Sequence, residues 1–268
     1  MQAPLFDADV VSANSPIGSV RHFVELDSTN DQAKQFIRQG TELLLPTLVI
    51  ADQQSNGRGR GSNTWWSSAG SLTFSVVYDC SAFHEHMSLV ALAAAVAVGE
   101  AISGCDADCA SELDAQFKWP NDVFLGDKKV AGILIELVTS GTGQFCVIGI
   151  GVNLNCDVQQ APESLRDRVT AIAMLRDKTS DPNQFLSCLL TVLDSRLSQL
   201  GTDCCTLLED YSPKLMFGSD SQLTVQLPNG ESVRGIFRGV GKDGQLLIDD
   251  GEKLVECVSG SVQMDNKS

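Results

Sequence analysis

Residues 54–61 read QSNGRGRG, and a tryptophan pair follows at Trp65 and Trp66. Glycines at 57, 59 and 61 allow the backbone positive φ angles and let it approach a bound group with no Cβ in the way. Arg58 and Arg60 add planar fans of donors that match carboxylate or phosphate oxygens. The chemistry such a loop suits is the gripping of an anionic small molecule. It is not the phosphate loop of nucleoside triphosphatases, because no Gly-Lys-Ser/Thr ending exists. Nor is it a dinucleotide fingerprint, because its third glycine comes too early and no helix follows. An exposed Arg-Gly loop is the bland alternative. The tryptophans supply flat rings that can close over a flat ligand, or plug the loop onto its scaffold.

A second cluster, KWPNDVFLGDKKVAG at 118–132, places Lys118, Asn121, Asp122 and Lys129 around a turn after Pro120. Lysines there can stabilise charge that develops on phosphate or on a leaving oxygen. Asn121 and Asp122 could orient nucleotide phosphates or a magnesium ion, although a Pro-Asn-Asp turn by itself is often only a turn. The third cluster sets Gly149, Gly151 and Asn153 in an apolar strand, which implies that something comes close to its backbone.

The elements that must hold these clusters follow from periodicity. Strands are expected at 21–26, 47–52 and 71–79, the last alternating Leu72, Phe74, Val76 and Tyr78 on one side with its other face half-covered. A helix begins at the DSTN of 27–30, capped by Ser28 or Thr29, with Ala33, Phe36 and Ile37 on its apolar face. The alanine-rich run 89–98 reads as a helix packed closely on a sheet, since ten residues fall short of the roughly twenty needed to cross a bilayer. Residues 110–138 read as strand, tight turn, strand, hairpin and strand, turning at Gly126–Asp127, and 144–156 as a further strand. Helical periods fill 170–217, with Pro182 at a helix start. From 219 onward, short strands separated by PNG, GKDG and DDG form a small β module. These readings give an α+β domain with largely antiparallel pairing. They also divide the chain into a loose arm (1–20), a main domain (21–218) and a C-terminal module (219–268).

The formal net charge of −15 opposes nucleic acid and anionic membranes as partners. The C-terminal module carries eight acidic and five basic side chains, so it is no basic nucleic-acid module. Nine scattered cysteines and the absence of a leader-like start favour a reduced, cytoplasmic setting. Cys105 and Cys109 lack a second pair at metal-ligand spacing. His22, His84 and His86 lie outside the three clusters, which leaves them no catalytic part.

Taken together, DSTN at 27–30, QSNGRGRG at 54–61, KWPND at 118–122, KKVAGILIE at 128–136 and GIGVNLN at 149–155 resemble the biotin protein ligases, the biotin–[acetyl-CoA-carboxylase] ligase family. Order, spacing and identity agree over roughly residues 21–156. The resemblance implies a class II synthetase-like mixed sheet with flanking helices and a small SH3-like C-terminal barrel. It implies ATP and Mg2+ as cofactors and biotin as substrate, activated to biotinyl-5'-AMP and passed to a lysine of a biotin carboxyl carrier protein domain. Ser28, Thr29, Asn30, Gln54, Gly57, Arg58, Lys129 and Gly132 would bind biotin. Arg58, Arg60, Trp65, Lys118, Asn121, Lys129 and Asn153 would serve ATP and the adenylate. Arg58, Arg60, Lys118 and Lys129 would carry the catalysis, and Asp122 is a weak candidate for magnesium.

The chemistry agrees with those roles. Joining a carboxylate to the α-phosphate needs cations where the transition state gains charge, and the product anhydride needs protection from water. Two departures stand out. Asn63 replaces an arginine found three residues after GRGR in some members, and only 26 residues precede DSTN, too few for the helix-turn-helix domain of many bacterial relatives. The expectation is therefore a ligase without DNA-binding regulation, with a homodimer possible. A lipoate or octanoate ligase is the enzymatic alternative. A non-catalytic biotin or carrier binder is the other, opposed by the presence of both Arg60 and Lys129.

Overall fold

The computed structural model describes residues 6–104, 113–141 and 143–264. Cys105, Cys109 and the first five residues of the expected arm lie outside them. A seven-stranded sheet dominates, in the order β1-β2-β3-β7-β6-β5-β4. Its strands are β1 (Ser19–Leu26), β2 (Thr47–Gln54), β3 (Ser71–Asp79), β4 (Ala115–Lys118), β5 (Asp122–Leu125), β6 (Lys128–Ser140) and β7 (Gly143–Asn153). Only β1 and β2 pair parallel, because helix α2 (Thr29–Arg38) carries the chain back between them; the other neighbours are antiparallel.

β3 was expected to be half-covered, yet every residue from Ser71 to Tyr78 is buried. It is a central strand covered on both faces. Leu72, Phe74, Val76 and Tyr78 enter the main core, while Val77 joins Ala33 and Ile37 of α2 on the other face. The polar residues Thr73 and Ser75 on that second face look towards the functional site described below.

The main core lies under α3 (Val90–Gly104), α6 (Pro182–Leu200) and α7 (Cys204–Tyr211). The segment His84–Gly104 is long and apolar enough to span a membrane. Here it is a core helix: Val90, Leu92, Val98 and Ile102 are buried, and α6 packs along it. The N-terminal stretch is not a loose arm over its described part. Ala8–Ala13 form α1, capped by Asp7, and Phe6, Val11 and Ile17 are buried in the main core. Those three apolar side chains outweigh the polar composition that suggested an arm.

Two short helices, α4 (Glu163–Arg166) and α5 (Ile172–Arg176), follow β7. The C-terminal strands β8 (Gln222–Gln226), β9 (Ser232–Val240), β10 (Leu246–Asp249), β11 (Leu254–Cys257) and β12 (Ser261–Met264) form an antiparallel sheet ordered β11-β10-β9-β8-β12. It is joined to the large sheet at the base of the KWPND turn, where the buried Trp119 Nε1 donates to Gly244 O at 2.8 Å.

Candidate active site

One wall of the site is polar and built by the start of α2. Ser28 caps the helix, accepting from Asp31 N at 3.4 Å. That turn directs Thr29 and Asn30 inward, and both are buried. Thr29 N donates to Gln54 Oε1 at 2.7 Å, and Ser75 Oγ lies 2.7 Å from Thr29 Oγ1 and donates to Asn30 Oδ1 at 2.6 Å. Asn30 in turn covers Gly149 of β7 so closely that a Cβ there would stand 2.2 Å from Asn30 Oδ1. This is the close approach that the glycine-bearing strand implied.

The Gly-Arg segment is a small hairpin. Trp65 N donates to Gly57 O at 2.9 Å, Gly59 N to Asn63 O at 2.8 Å, and Arg58 bridges Thr64. A side chain at Gly57 would meet Trp65 O at 2.5 Å. The hairpin delivers the two tryptophans differently. Trp66 packs against the small cluster of Cys156, Val158, Ala171 and Val169, as a plug. Trp65 turns into the site, lying against Gly151 and Gly132 with Lys129 Nζ 5.9 Å from its ring centroid. Its indole N–H is buried and has no protein partner.

The cations are distributed along a cleft of about 1030 Å³. Arg60 Nη1 donates to Gly260 O at 3.0 Å and to Asn121 Oδ1 at 3.3 Å, and Asn121 is fixed by Nδ2 donating to Ile133 O at 2.7 Å. Lys129 Nζ sits 2.6 Å from Asp122 Oδ1. Lys118 is half-buried, and burial pushes its pKa down; Asp122 opposes this, while Arg168 and Lys129 add to it. Burial also lowers Arg60, with Asp122 acting the other way. A guanidinium stays protonated regardless. The cleft is thus cationic where Arg60, Lys118, Lys129 and Arg168 face it, with Asp122 among them.

Most expected residues meet in this cleft: Ser28, Thr29, Asn30, Gln54, Arg58 and Arg60 from one side, and Trp65, Lys118, Asn121, Asp122, Lys129 and Gly132 from the other. Gly57 and Asn153 are not among its lining residues. Gly57 sets the hairpin's geometry, and Asn153 is buried behind the cleft with Nδ2 donating to Thr170 O at 3.0 Å and Oδ1 unpaired. Arg58, expected to reach a carboxylate and phosphate, has its Nη1 2.7 Å from Asp31 Oδ1 and 3.0 Å from Glu136 Oε2. Asp122 is engaged by Lys129, and the described residues contain no group of three His, Cys, Asp or Glu that could hold a metal. The residues present do not make a magnesium site of their own.

Sequence reading missed several lining or supporting residues. Asp31 and Glu136 hold Arg58, with Lys34 on the same two carboxylates. Arg168 lines the cleft next to Lys129, whose backbone N–H donates to its carbonyl at 2.9 Å, and Gly260–Met264 line the cleft from the C-terminal sheet. Asp31 and Lys34, three apart on a helix, carried a local signal. Arg168 and Gly260 carried none.

Residues 23–153 match the Biotin/lipoate A/B protein ligase family. The chain is 33% identical over 220 residues to the biotin–[acetyl-CoA-carboxylase] ligase of Mycobacterium tuberculosis, covering 80% of this chain and 77% of that protein. It is 29% identical over 228 residues to the ligase of the same name from Paracoccus denitrificans, covering 83% and 90%. The biotin protein ligase of Aquifex aeolicus in complex with biotin and ATP superposes with a TM-score of 0.79 at 26% identity, covering 93% of this chain and 99% of that one.

Proposed function

Because the chain belongs to the biotin/lipoate A/B protein ligase family, we infer that its cleft performs the biotin ligase reaction: ATP-dependent activation of biotin, then transfer to a carrier lysine. The observation that carries this reading is the convergence of three cations, Arg60, Lys118 and Lys129, beside the buried polar wall of Thr29, Asn30 and Gln54.

In the first step a biotin carboxylate oxygen bonds to the α-phosphorus and the bond to pyrophosphate breaks. Both reactants are anions, so bringing them together requires fixed positive charge. Lys129 is placed for this by Asp122, which holds its ammonium 2.6 Å away without burying it. Arg60 is anchored on the other side by Gly260 O and Asn121, leaving its guanidinium fork over the cleft. Lys118 and Arg168 extend the positive field towards the end where the leaving pyrophosphate would depart. Magnesium would enter with ATP and supply charge neutralisation on its phosphates, since the described residues offer it no prepared cluster. The polar wall suits the ureido end of biotin: buried hydroxyl, amide and backbone groups can pair with its N–H and C=O groups.

In the second step the neutral amine of the carrier lysine attacks the acyl carbon, the bond to the phosphate oxygen breaks, and AMP leaves. Trp65, lying on Gly151 and Gly132, supplies a flat apolar cover beside the adenylate. The acceptor is a carboxylase carrier protein, and we assign it as the biotin carboxyl carrier domain of an acetyl-CoA carboxylase. The direct test is transfer of labelled biotin from magnesium-ATP and biotin to the lysine of such an apo domain. Label on a Lys→Arg version of the domain, or none on the native one, would remove the reading.

A further inference from the structure

Arg58 and Lys34 form a closed ring of charge with two carboxylates. Arg58 Nη1 lies 2.7 Å from Asp31 Oδ1 and 3.0 Å from Glu136 Oε2, and Lys34 Nζ lies 2.8 Å from Asp31 Oδ1 and 2.7 Å from Glu136 Oε1. Each cation touches both anions, so the ring is neutral only while all four are in place. Three of them belong to α2 and β6 and are fixed by the fold. Arg58 alone arrives on the hairpin that carries Arg60 and Trp65.

Glu136 has a second contact. Its Oε2 accepts from Asn30 Nδ2 at 2.9 Å, and Asn30 Oδ1 accepts from Ser75, whose hydroxyl also meets Thr29. One carboxylate therefore holds both the hairpin and the polar wall on which substrate would rest. Loss of Arg58 from the ring would leave two carboxylates against a single ammonium, with Glu136 largely shielded from water at 19% side-chain exposure. That imbalance opposes displacement of the hairpin.

Resting on the biotin ligase reading, we propose that Glu136 is a positioning residue that locks the Arg58 hairpin onto the Asn30–Ser75–Thr29 wall, so that the cover over the activated intermediate and the floor beneath it stay in register. Arg58 then works as an internal strut, and phosphate contact falls to Arg60 and Lys129. The consequence is retention. With the lock broken, water reaches the acyl carbon of the mixed anhydride, giving free biotin and AMP before a carrier arrives.

The test compares wild type, Glu136→Gln, Asp31→Asn and Arg58→Gln with magnesium-ATP and biotin but no carrier, separating the first burst of pyrophosphate from the later steady release of AMP. In each variant the steady AMP release should rise on the order of tenfold, within the range for coupled neighbouring charges, and in Glu136→Gln and Asp31→Asn the burst should persist. Combining Glu136→Gln with Arg58→Gln should add little to either alone, Glu136→Asp should recover part of the retention, and trypsin should cut after Arg58 or Arg60 faster in the variants. Should Glu136→Gln fail to fold, Asp31→Asn carries the test, because Asp31 is on the outer side of the ring with 48% exposure. An unchanged steady rate, or additive effects of the two substitutions, overturns the proposal. A wild type with no pyrophosphate burst instead sinks the ligase reading itself.

Discussion

The Trp65 indole lies so close to Gly151 that a Cβ on that glycine would stand 2.3 Å from Trp65 Cε2. The glycine is there because the ring needs its space, and the ring's position sets the shape of the cleft. Gly151→Ala should therefore expel Trp65, destabilising the fold by about 1–3 kcal/mol through overpacking. Tryptophan emission should shift to the red while the buried Trp119 stays in place, and adenylate formation should fall. Unshifted emission with intact biotin binding would show that Trp65 does not seat on Gly151 in solution.

Lys129 and Lys118 should separate in kinetics. Lys129, pinned by Asp122 and 5.9 Å from the Trp65 centroid, is the cation we assign to the reacting oxygens. Lys129→Met should lower kcat for pyrophosphate release by roughly 100- to 1000-fold, the usual loss for one transition-state donor. Lys118→Met should act mainly on the KM for ATP. Equal effects of both substitutions on kcat would contradict this assignment.

The C-terminal sheet should matter to the reaction, because Gly260 O accepts from Arg60 across 200 residues of chain. Gly260 has φ +150°, and a Cβ there would come 2.6 Å from Gln226 O. Gly260→Ala should displace the start of β12, free Arg60 and raise the KM for ATP several-fold with biotin affinity little changed. Wild-type kinetics for this variant would show that the contact does not serve the site.

Two pH effects follow from the charges, and both make stability rise with pH, the first on the acid side and the second on the alkaline side. Burial raises the Asp31 and Glu136 carboxyls, but Lys34 and Arg58, joined for Glu136 by Asn30, outweigh it and hold both below their ordinary values of 3.8 and 4.5. The folded state thus binds these protons less readily than the unfolded one. Their stabilisation is fully present above about 4.5 and is lost as pH falls through the lowered values. Lys118 is also depressed, so its charge is lost below the ordinary 10.5 and activity should decline on the alkaline side first through ATP binding. Because charged Lys118 disfavours the folded state, stability gains from its deprotonation there. Lys118→Arg should flatten the alkaline decline, and Asp31→Asn should flatten the acid limb of a melting profile.

Local pattern carried much of this architecture. Alternation marked the strands, the Ser28 cap marked α2, and GIG in an apolar strand announced a close approach without saying of what. The approaching groups are Asn30 at Gly149 and Trp65 at Gly151, brought there from two distant segments by the order of the strands. The Arg58 ring was illegible for the same reason. Glu136 is 78 residues from Arg58, and only the placement of β6 beside β7, which in turn lies beside β3, sets it against α2. The arm misread at residues 8–13 shows a different limit, since Val11 and Ile17 are few and lack a period, yet a receptive core surface was enough to fold them.

The central claim is tested most directly by one single-turnover measurement: pyrophosphate released on mixing the enzyme, in excess over radiolabelled acid, with magnesium-ATP, using biotin and lipoate in parallel. The account predicts about one pyrophosphate per biotin, with acyl-adenylate retained on the protein, and no burst with lipoate. A burst with lipoate alone, or binding of biotin with no pyrophosphate, would contradict it.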